Sequence, residues 1–250
     1  MKIKVLGCGG SFGSPLAWGR NGNIDINNPH NYRTRSSVLI NNSNQNILID
    51  TSPDLRDQLY KAKCTKIDAV LFTHEHSDHT AGLPDMRAMS LINKSIIPAY
   101  LSDDIYESMT SNYKYIFEGV KDYSPFMTLN IIQDNFLIGD TKIETFKHNH
   151  GSIDVQTYRI NNFAYSTDIK NFYENDIDKL KNLDLWIVGL LRYDPHPSHA
   201  GFDQILDYIN YLKPKKTLFT HMTALLDQKD LLSKCPKNVQ PAYDGLEISL

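Results

Sequence analysis

The densest group of potential metal ligands in this chain lies in residues 74–79, which read His-Glu-His-Ser-Asp-His. His74 and His76 are two residues apart, so in an extended backbone their side chains point to the same side. Imidazole and carboxylate are ligands that borderline divalent metals prefer, and so dense a set suits two adjacent ions better than one closed structural site. A solvated polar loop would explain a single histidine at a strand end, but not three imidazoles beside the Asp78 carboxylate.

Three further polar residues each follow a strand-like run later in the chain: His150, Asp168 and His221. In α/β sheets, residues at the carboxyl ends of strands gather in one crevice. We therefore expect these side chains to converge with residues 74–79, although they are far apart in sequence. His148 competes with His150 for one ligand position, because the two-residue period of a strand puts both on the same face.

The elements that would position these groups alternate along the chain. Strand-like runs, β-branched or alternating between apolar and polar residues, recur throughout. These runs are Ile3–Leu6, Ser37–Ile40, Asn46–Ile49, Ala69–Phe72, Ala99–Leu101, Leu129–Ile132, Lys142–Phe146, Val155–Ile160, Phe163–Ser166, Leu185–Val188 and Thr217–Thr220. Asn161 and Asn162 join two of the runs in a predicted hairpin. Because hairpins occur beside helices, the pattern predicts an α/β protein with mixed sheets rather than purely parallel ones.

Three helices are predicted between the strands, at residues 52–62, 103–111 and 202–212. Ser52 and Ser102 are the candidate N-caps of the first two helices, and the third shows an apolar face at helical spacing. The loop over residues 9–31 is long and rich in Gly, Asn and Pro, which is typical of functional or disordered segments. Trp18 and Arg20 in this loop are candidates for the wall of a pocket.

The composition excludes several classes of protein. The 250 residues, 41% of them hydrophobic, suffice for one large α/β domain or two small ones, and a net charge of −3 gives no sign of a nucleic-acid binder. Three cysteines are too few for a disulfide framework and fit a reducing compartment. The first residues contain no apolar stretch long enough for a signal peptide, and no run approaches the roughly 18 apolar residues of a membrane helix. We therefore expect a cytoplasmic protein with no membrane contact.

The order and spacing of the polar residues resemble those of the metallo-β-lactamase superfamily. Its His-x-His-x-Asp-His signature stands at residues 74–79, and its later His, Asp and His match His150, Asp168 and His221. Asp50 stands where the family places an aspartate that supports the metal loop. The resemblance covers nearly the whole chain. It implies one domain over residues 1–250, folded as a four-layer αβ/βα sandwich of two mixed sheets with helices outside and metals at one edge.

Within this superfamily, the chain looks most like the branch that hydrolyses phosphodiesters, which includes the phosphoribosyl cyclic phosphodiesterases of phosphonate metabolism. The segments that carry this resemblance are Gly7–Gly10, Tyr32–Ser37, Asp50–Asp54 and His196–His199. The best-known phosphonate-pathway members carry a cysteine cluster for an extra structural zinc in the first long loop. This chain has no cysteine between Gly9 and Tyr32, so we expect no such zinc.

The resemblance implies two divalent ions, zinc or manganese, and a role for each ligand. The first ion would be held by His74, His76 and His150, and the second by Asp78, His79 and His221, with Asp168 bridging both. The glycine that follows His150 favours it over His148, as in the family. Such a centre implies in-line attack of a metal-activated hydroxide on a small cyclic or nucleotide-like phosphodiester, with Asp78 among the catalytic residues.

Other residues are candidates for contact with the substrate. His199 matches the family's non-ligand histidine, which contacts the phosphate or protonates the leaving oxygen. The alternative is a polar loop residue before a helix, and His196 is a weaker candidate for the same position. Arg33 and Arg35 would recognise an anionic substrate, since guanidinium matches phosphate geometry. The alternative is that both arginines lie at the edge of a strand and form ordinary ion pairs with carboxylates.

Several rival functions share the implied fold. A thioester hydrolase of the glyoxalase II type keeps the same ligands and stays open, as does a non-catalytic metal-loaded sensor. The commonest β-lactamases carry a cysteine where this chain has Asp168, and diiron oxygen-reducing enzymes carry a glutamate where it has His76. A tRNA-processing nuclease needs a Gly/Pro/Lys-rich arm that the sequence lacks. The expected partner is a small phosphorylated substrate rather than nucleic acid, and a homodimer stays open because dimers are common in this branch.

Overall fold

The structure is a computed structural model that describes residues 1–19 and 21–250. Arg20, a candidate for a pocket wall, lies outside the described residues. The strands are β1 (Lys2–Gly7), β2 (Ser37–Asn42), β3 (Gln45–Ile49), β4 (Ala69–Leu71), β5 (Ile97–Leu101), β6 (Met127–Ile131), β7 (Asn135–Ile138), β8 (Thr141–His150), β9 (Ile153–Ile160), β10 (Phe163–Ser166), β11 (Asn171–Phe172), β12 (Leu185–Gly189), β13 (Lys216–Thr220), β14 (Val239–Pro241) and β15 (Glu247–Ser249).

Helices follow many of these strands. The α-helices are α1 (Leu55–Ala62), α2 (Ser77–Thr80), α3 (Met86–Asn93), α4 (Tyr106–Asn112), α5 (Lys114–Phe117), α6 (Phe202–Leu212) and α7 (Gln228–Lys234). Short 3-10 turns lie at Pro29–Asn31, Leu83–Asp85, Asp103–Ile105 and Ile177–Leu180. Within the described ranges, no helix combines the length and the apolar character needed to cross a bilayer.

The strands form two mixed sheets. The first has the order β15-β1-β2-β3-β4-β5-β6, and the second has the order β11-β8-β9-β10-β12-β13-β14, with β7 paired to β8. In the first sheet β1, β2 and β3 pair antiparallel, whereas β3 to β6 pair in parallel. The second sheet changes from antiparallel to parallel pairing at β10. The hairpin of β9 and β10, with Ile160 opposite Phe163, is confirmed.

The side chains of β2 show why each sheet is covered on both faces. Val38 and Ile40 belong to the cluster that joins the two sheets, whereas Leu39 packs with residues of α1 and α3 on the outer face of the first sheet. Ile205 and Ile209 of α6 cover the second sheet. Burying each such side chain contributes about 1.5–3 kcal/mol, so both sheets need helical cover. The predicted four-layer α/β sandwich is confirmed.

Helix α1 begins later than predicted. Its first residue is Leu55, with Asp54 rather than Ser52 at the N-cap position. The Ser52 hydroxyl instead donates to Gln58 Oε1 at 2.9 Å and accepts from the Asp54 N–H at 3.2 Å. The predicted start was wrong because Ser52 links the preceding turn to the side of the helix.

The helix predicted at residues 103–111 is also divided differently. Asp103–Ile105 form a 3-10 turn, and only then does α4 begin. Ser102 precedes the turn but makes no capping hydrogen bond through its side chain, so the predicted cap is wrong. The prediction at residues 202–212 is confirmed by α6.

Strand β8 extends beyond the predicted end at Phe146 and reaches His150. It pairs with β9 along this added length, where His148 lies opposite Val155 and His150 opposite Ile153. The end of β8 is a polar stretch that sequence patterns do not identify as a strand. Backbone pairing with β9 keeps it extended. The two competing histidines lie within the strand and not in a loop after it.

Candidate metal centre

The predicted metal-ligating side chains lie at one edge of the sandwich, where strands of both sheets end. β4 leads into residues 74–79, which include the short helix α2, and β8 ends on a histidine. β10 and β13 lead into an aspartate and a histidine. The structure brings all seven side chains together: His74, His76, Asp78, His79, His150, Asp168 and His221. All of them are buried except His76, which is exposed on the outer side of the cluster.

The first group consists of His74, His76 and His150. Their candidate ligand atoms lie within 4.8 Å of one another, and the ring centroids of His74 and His76 are 4.5 Å apart. His150 Nδ1 lies 2.8 Å from the carbonyl oxygen of Ser198. Because a carbonyl oxygen only accepts, Nδ1 carries the proton and Nε2 is left as the ligand atom.

His148 lies beside this group but has no free ring nitrogen. Its Nε2 is 2.7 Å from the Thr167 carbonyl oxygen, and its Nδ1 is 3.0 Å from the Thr157 hydroxyl. Burial lowers the pKa of His148 to about 4, so the ring is neutral at cellular pH. These contacts favour His150 over His148 as the ligand.

The second group consists of Asp78, His79 and His221, whose candidate ligand atoms also lie within 4.8 Å of one another. Asp78 Oδ2 is 3.2 Å from His221 Nε2 and 3.3 Å from His79 Nε2. Burial acts to raise the pKa of Asp78, but the two adjacent imidazoles outweigh it and hold the pKa below its usual range. The carboxylate is therefore charged at cellular pH.

Asp168 lies between the two groups. Its Oδ2 is 3.3 Å from His79 Nε2, and its Oδ1 is 3.3 Å from His221 Nε2 and 3.9 Å from His150 Nε2. Burial opposes its charge, but His221 and His79 hold the pKa of Asp168 well below its usual value. A charged carboxylate in this position suits the bridge between two cations that the family resemblance implies.

An unpartnered imidazole nitrogen indicates that the cluster fits cations. Among the described residues, none is hydrogen-bonded to the buried Nε2 of His74, whereas its Nδ1 lies 3.0 Å from the Thr73 hydroxyl. Burial, reinforced by the neighbouring His79, holds the pKa of His74 well below its usual value, so the ring is neutral. A buried polar atom without a partner costs about 1–3 kcal/mol, and coordination to a divalent ion removes that cost. The residues present therefore fit bound divalent metal.

Asp50 connects residues 74–79, the metal loop, to the first sheet. It accepts hydrogen bonds from the Thr73 N–H and the Thr73 hydroxyl, each at 2.8 Å, and lies 2.7 Å from His79 Nδ1. Burial opposes protonation of His79, but the carboxylates of Asp50, Asp78 and Asp168 outweigh it and raise the pKa of that imidazole. Carboxylates that hold the second nitrogen of a ligand imidazole fix its orientation in metal sites.

His199 lies against the cluster. Its Nε2 is 3.8 Å from Asp168 Oδ1, and its ring centroid is 4.6 Å from that of His150. Burial lowers the pKa of His199 to about 3, so the ring is neutral at cellular pH. His196, the weaker candidate, is more exposed, and its Nδ1 is 3.0 Å from the Ser198 hydroxyl. His199 is therefore the better placed of the two.

The two arginines predicted to bind substrate both contact protein groups. Arg33 is 2% exposed, and its guanidinium donates to the Thr223 carbonyl at 3.1 Å and to Asn31 Oδ1 at 3.0 Å. These contacts hold the Arg33 guanidinium inside the protein, and its predicted contact with substrate stays a prediction. Arg35 is partly exposed, and its Nε lies 3.1 Å from Asp54 Oδ2. Both arginines line a cavity of about 620 Å³ to which none of the seven cluster residues contributes.

Sequence reasoning missed the threonines that orient the ligands. Thr73 directly precedes His74, and Thr167 directly precedes Asp168, to whose Oδ2 its hydroxyl donates at 2.6 Å. Thr220 likewise precedes His221. A threonine directly before His74, Asp168 and His221 is a signal that the sequence contains, whereas Asn149 precedes His150.

The match of residues 45–222 to the family described as the beta-lactamase superfamily domain identifies the class of protein. The chain belongs to the metallo-β-lactamase superfamily, whose members typically bind divalent metals and act mostly as hydrolases.

Individual relatives extend this likeness over the whole chain. A diphosphatase from the PhnP family has a crystal structure with a TM-score of 0.90 and 29% identity, covering 100% of this chain and 97% of that one. Zinc-bound PqqB from Methylobacterium extorquens has a TM-score of 0.82 at 16% identity, covering 100% of both chains. The short form of human tRNase Z has a TM-score of 0.70 at 18% identity, covering 100% of this chain and 99% of that one. The last two likenesses concern the fold alone.

Two further relatives are named for other activities. An octanoyltransferase of Porphyromonas gingivalis (strain ATCC BAA-308 / W83) is 32% identical over 254 residues, which cover 99% of this chain and 51% of the relative. The chain thus spans about half the length of that protein. A hydroxyacylglutathione hydrolase of Francisella philomiragia subsp. philomiragia is 24% identical over 196 residues, covering 73% of this chain and 69% of the relative.

Proposed function

We propose that the protein is a metal-dependent phosphodiesterase that hydrolyses a small cyclic or nucleotide-like phosphodiester. The observation that carries this proposal is the division of the cluster into two ligand groups on either side of Asp168. Pairs of divalent ions held in this way suit displacement at phosphorus. Similarity to a PhnP-family diphosphatase at 29% identity over the whole chain supports chemistry at a phosphorus centre.

Zinc or manganese bound at the two groups would supply a Lewis acid that activates water and stabilises charge on phosphoryl oxygens. The residues of the chain determine where that chemistry takes place. Asp168 holds negative charge between the groups and so offsets repulsion between two cations. Asp78, which lies beside His79 and His221, is the proposed proton acceptor in the second group.

His199 is the proposed contact to the substrate. Its neutral ring has one N–H, which can donate a hydrogen bond to a phosphoryl or leaving oxygen close to Asp168. Arg35 is the more exposed of the two arginine candidates for attracting the anion, because its side chain is 27% exposed beside Asp54. Long-range attraction by a partly exposed guanidinium favours association with an anionic substrate.

A second candidate function is thioester hydrolysis of the glyoxalase II type. It is favoured by similarity to a hydroxyacylglutathione hydrolase over 73% of this chain. The same two ligand groups would serve both reactions, so turnover of defined substrates is what distinguishes the two functions.

A direct comparison of substrates tests this proposal. Purified protein supplied with manganese or zinc is assayed against bis(p-nitrophenyl) phosphate, a nucleoside 2′,3′-cyclic phosphate and S-lactoylglutathione. We expect turnover of the diesters, reduced by about 100-fold or more in Asp168→Asn and unchanged in the control Asp203→Asn, which alters an exposed carboxylate in α6. Faster turnover of the thioester would favour the second candidate. Metal binding without turnover of any of these substrates would indicate a non-catalytic sensor.

We also propose that the 250 residues form one domain acting in the cytoplasm on a small phosphorylated substrate. The three cysteines are unpaired, as suits a reducing compartment. Small-angle scattering and gel filtration at several concentrations would test for the homodimer that the family resemblance leaves open.

A further inference from the structure

The position of the Asp168 carboxylate depends on an uncommon backbone conformation. Asp168 has a φ of +53°, in the left-handed region. Residues other than glycine adopt this conformation uncommonly, and it persists where the surroundings hold it. The peptide unit between Thr167 and Asp168 is therefore a part of the candidate metal centre whose orientation other groups must fix.

Two neighbours hold this peptide unit from opposite ends. On the carbonyl side, His148 Nε2 lies 2.7 Å from the Thr167 oxygen, and both residues are fully buried. On the nitrogen side stands Gly189, where an added Cβ would lie only 2.8 Å from the Asp168 nitrogen. The glycine permits the close approach, and the imidazole supplies the directed hydrogen bond.

A chain of buried hydrogen bonds selects the tautomer of His148. The Thr167 oxygen can only accept, so Nε2 carries the proton and Nδ1 must accept. The group facing Nδ1 is the Thr157 hydroxyl at 3.0 Å. That hydroxyl lies 3.0 Å from Ser166 Oγ, which in turn accepts from Trp186 Nε1 at 3.1 Å. The Thr167 carbonyl therefore selects the tautomer of His148 that carries its proton on Nε2.

We propose that His148 is a positioning residue for the metal centre. Its Nε2–H anchors the Thr167 carbonyl and so holds Asp168 in the conformation that aims its carboxylate between the two ligand groups. His148 acts through Asp168 and contacts neither of the two sets of ligand atoms itself. The inference rests on the proposed metal centre and is independent of which ester the protein hydrolyses.

Two substitutions separate the hydrogen bond from the volume of the ring. His148→Phe keeps an aromatic ring against Phe172 but removes both hydrogen bonds. His148→Gln retains an amide donor that can reach the Thr167 carbonyl. The matched control is His30→Phe, the same substitution at an exposed histidine stacked on Tyr243.

The readout is the affinity and stoichiometry of manganese binding, titrated calorimetrically into the metal-free full chain. We expect His148→Phe to weaken binding of at least one of two ions by about 10- to 100-fold, as loss of groups that orient metal ligands does elsewhere. His148→Gln should recover most of the affinity, and His30→Phe should bind as the native chain does. Near-ultraviolet circular dichroism establishes that each variant is folded.

Two results would overturn the proposal. One is a folded His148→Phe variant that binds two ions as tightly as the native chain. The other is an equal defect in His148→Phe and His148→Gln, because the donor would then not matter. If His148→Phe does not fold, Thr157→Val serves in its place, since it removes the hydroxyl that lies between Nδ1 and Ser166 Oγ. We expect it to weaken ion binding severalfold, and native affinity in this variant would overturn the proposal as well.

Failure of the proposed function would look different. A native chain that binds two ions but hydrolyses no phosphodiester would contradict the phosphodiesterase assignment. The ion titrations of the His148 variants would still test the positioning role.

Discussion

Buried carboxylates at the candidate centre are held in their charged form by the imidazoles around them. Asp78 and Asp168 both have a pKa below the usual value although burial opposes it. The residue types and spacing at positions 74–79 suffice to predict this cluster, because few other functions require so many ligands in so short a segment. Sequence alone leaves the choice between His148 and His150 to a resemblance. The structure adds the physical reason, which is that Thr157 and Thr167 occupy both nitrogens of His148.

The buried contacts of Arg33 are a feature that residue type alone does not reveal. Guanidinium suits phosphate, but it also suits backbone carbonyls inside a protein. Its partner Thr223 is 190 positions away along the chain. No local pattern reveals such a contact, because it forms only when the segment after β13 packs against Arg33.

Removing the charge of Asp50 tests how the metal loop is held. We expect Asp50→Asn to weaken metal binding by about 10- to 100-fold, because the amide cannot orient the His79 imidazole as the carboxylate does. Asparagine tolerates the φ of +61° at this position, so the backbone is conserved. Calorimetric titration measures the effect, and Asp57→Asn on the exposed side of α1 is the control. Unchanged affinity in Asp50→Asn would contradict the role assigned to this carboxylate.

The two histidines near the site entrance should differ in their effect on turnover. We expect His199→Ala to lower kcat for a phosphodiester by about 10²- to 10⁴-fold with metal content unchanged, because the ring supplies a hydrogen bond to the reacting group. His196→Ala should remain within a few-fold of the native rate. Steady-state kinetics and metal analysis of both variants provide the measurement. An equal loss in the two variants, or loss of metal in His199→Ala, would contradict the assignment.

At the scale of elements, every predicted strand has a counterpart, but several boundaries differ and four strands were not predicted, namely β7, β11, β14 and β15. Strands such as β2 and β12 are apolar and β-branched, so their pattern reveals them. The end of β8 is polar, and it is extended because β9 pairs with it as far as His150. Helix α1 starts three residues after Ser52, because that hydroxyl bonds to Gln58 on the side of the helix. Contacts between elements decide these boundaries, and a local pattern does not contain them.

The packing of α2 against the backbone before α1 gives a prediction about stability. A Cβ at Gly82 would lie 2.0 Å from the Ser52 carbonyl oxygen, so Gly82→Ala must displace the chain that follows the metal loop. We expect a loss of roughly 1–3 kcal/mol in the free energy of unfolding, as for other overpacked positions. Urea denaturation measures it. Ala81→Ser, at the exposed neighbouring position, is the control and should unfold as the native protein does. A native-like midpoint for Gly82→Ala would contradict the close packing.

At the scale of the whole molecule, the candidate centre joins the two sheets. Residues 74–79 follow β4 of the first sheet, whereas the remaining ligands stand at β8, β10 and β13 of the second. The α/β class and the layered sandwich follow from the alternation of elements together with the family resemblance. Residues at the carboxyl ends of strands tend to gather in one crevice, so the meeting of the ligands at one edge could be expected from the sequence. The distances between the ligand side chains could not.

Metal removal should therefore lower the thermal stability of the whole molecule. Ligands that bind only the native state stabilise it by about 4 kcal/mol at a thousand times the dissociation constant. For a chain of this size, that corresponds to a rise in Tm of roughly 10 °C. Thermal melts before and after chelation, and after manganese is restored, measure the shift. The same Tm with and without metal would contradict a centre that links the sheets.

The most direct test is anomalous scattering from crystals of the metal-loaded protein, combined with elemental analysis of the same preparation. We predict two ions per chain. One should lie among His74, His76 and His150, the other among Asp78, His79 and His221, with Asp168 contacting both. A chain that carries no ion at this edge, or a single ion that leaves one group without metal at saturating concentration, would contradict the dinuclear centre.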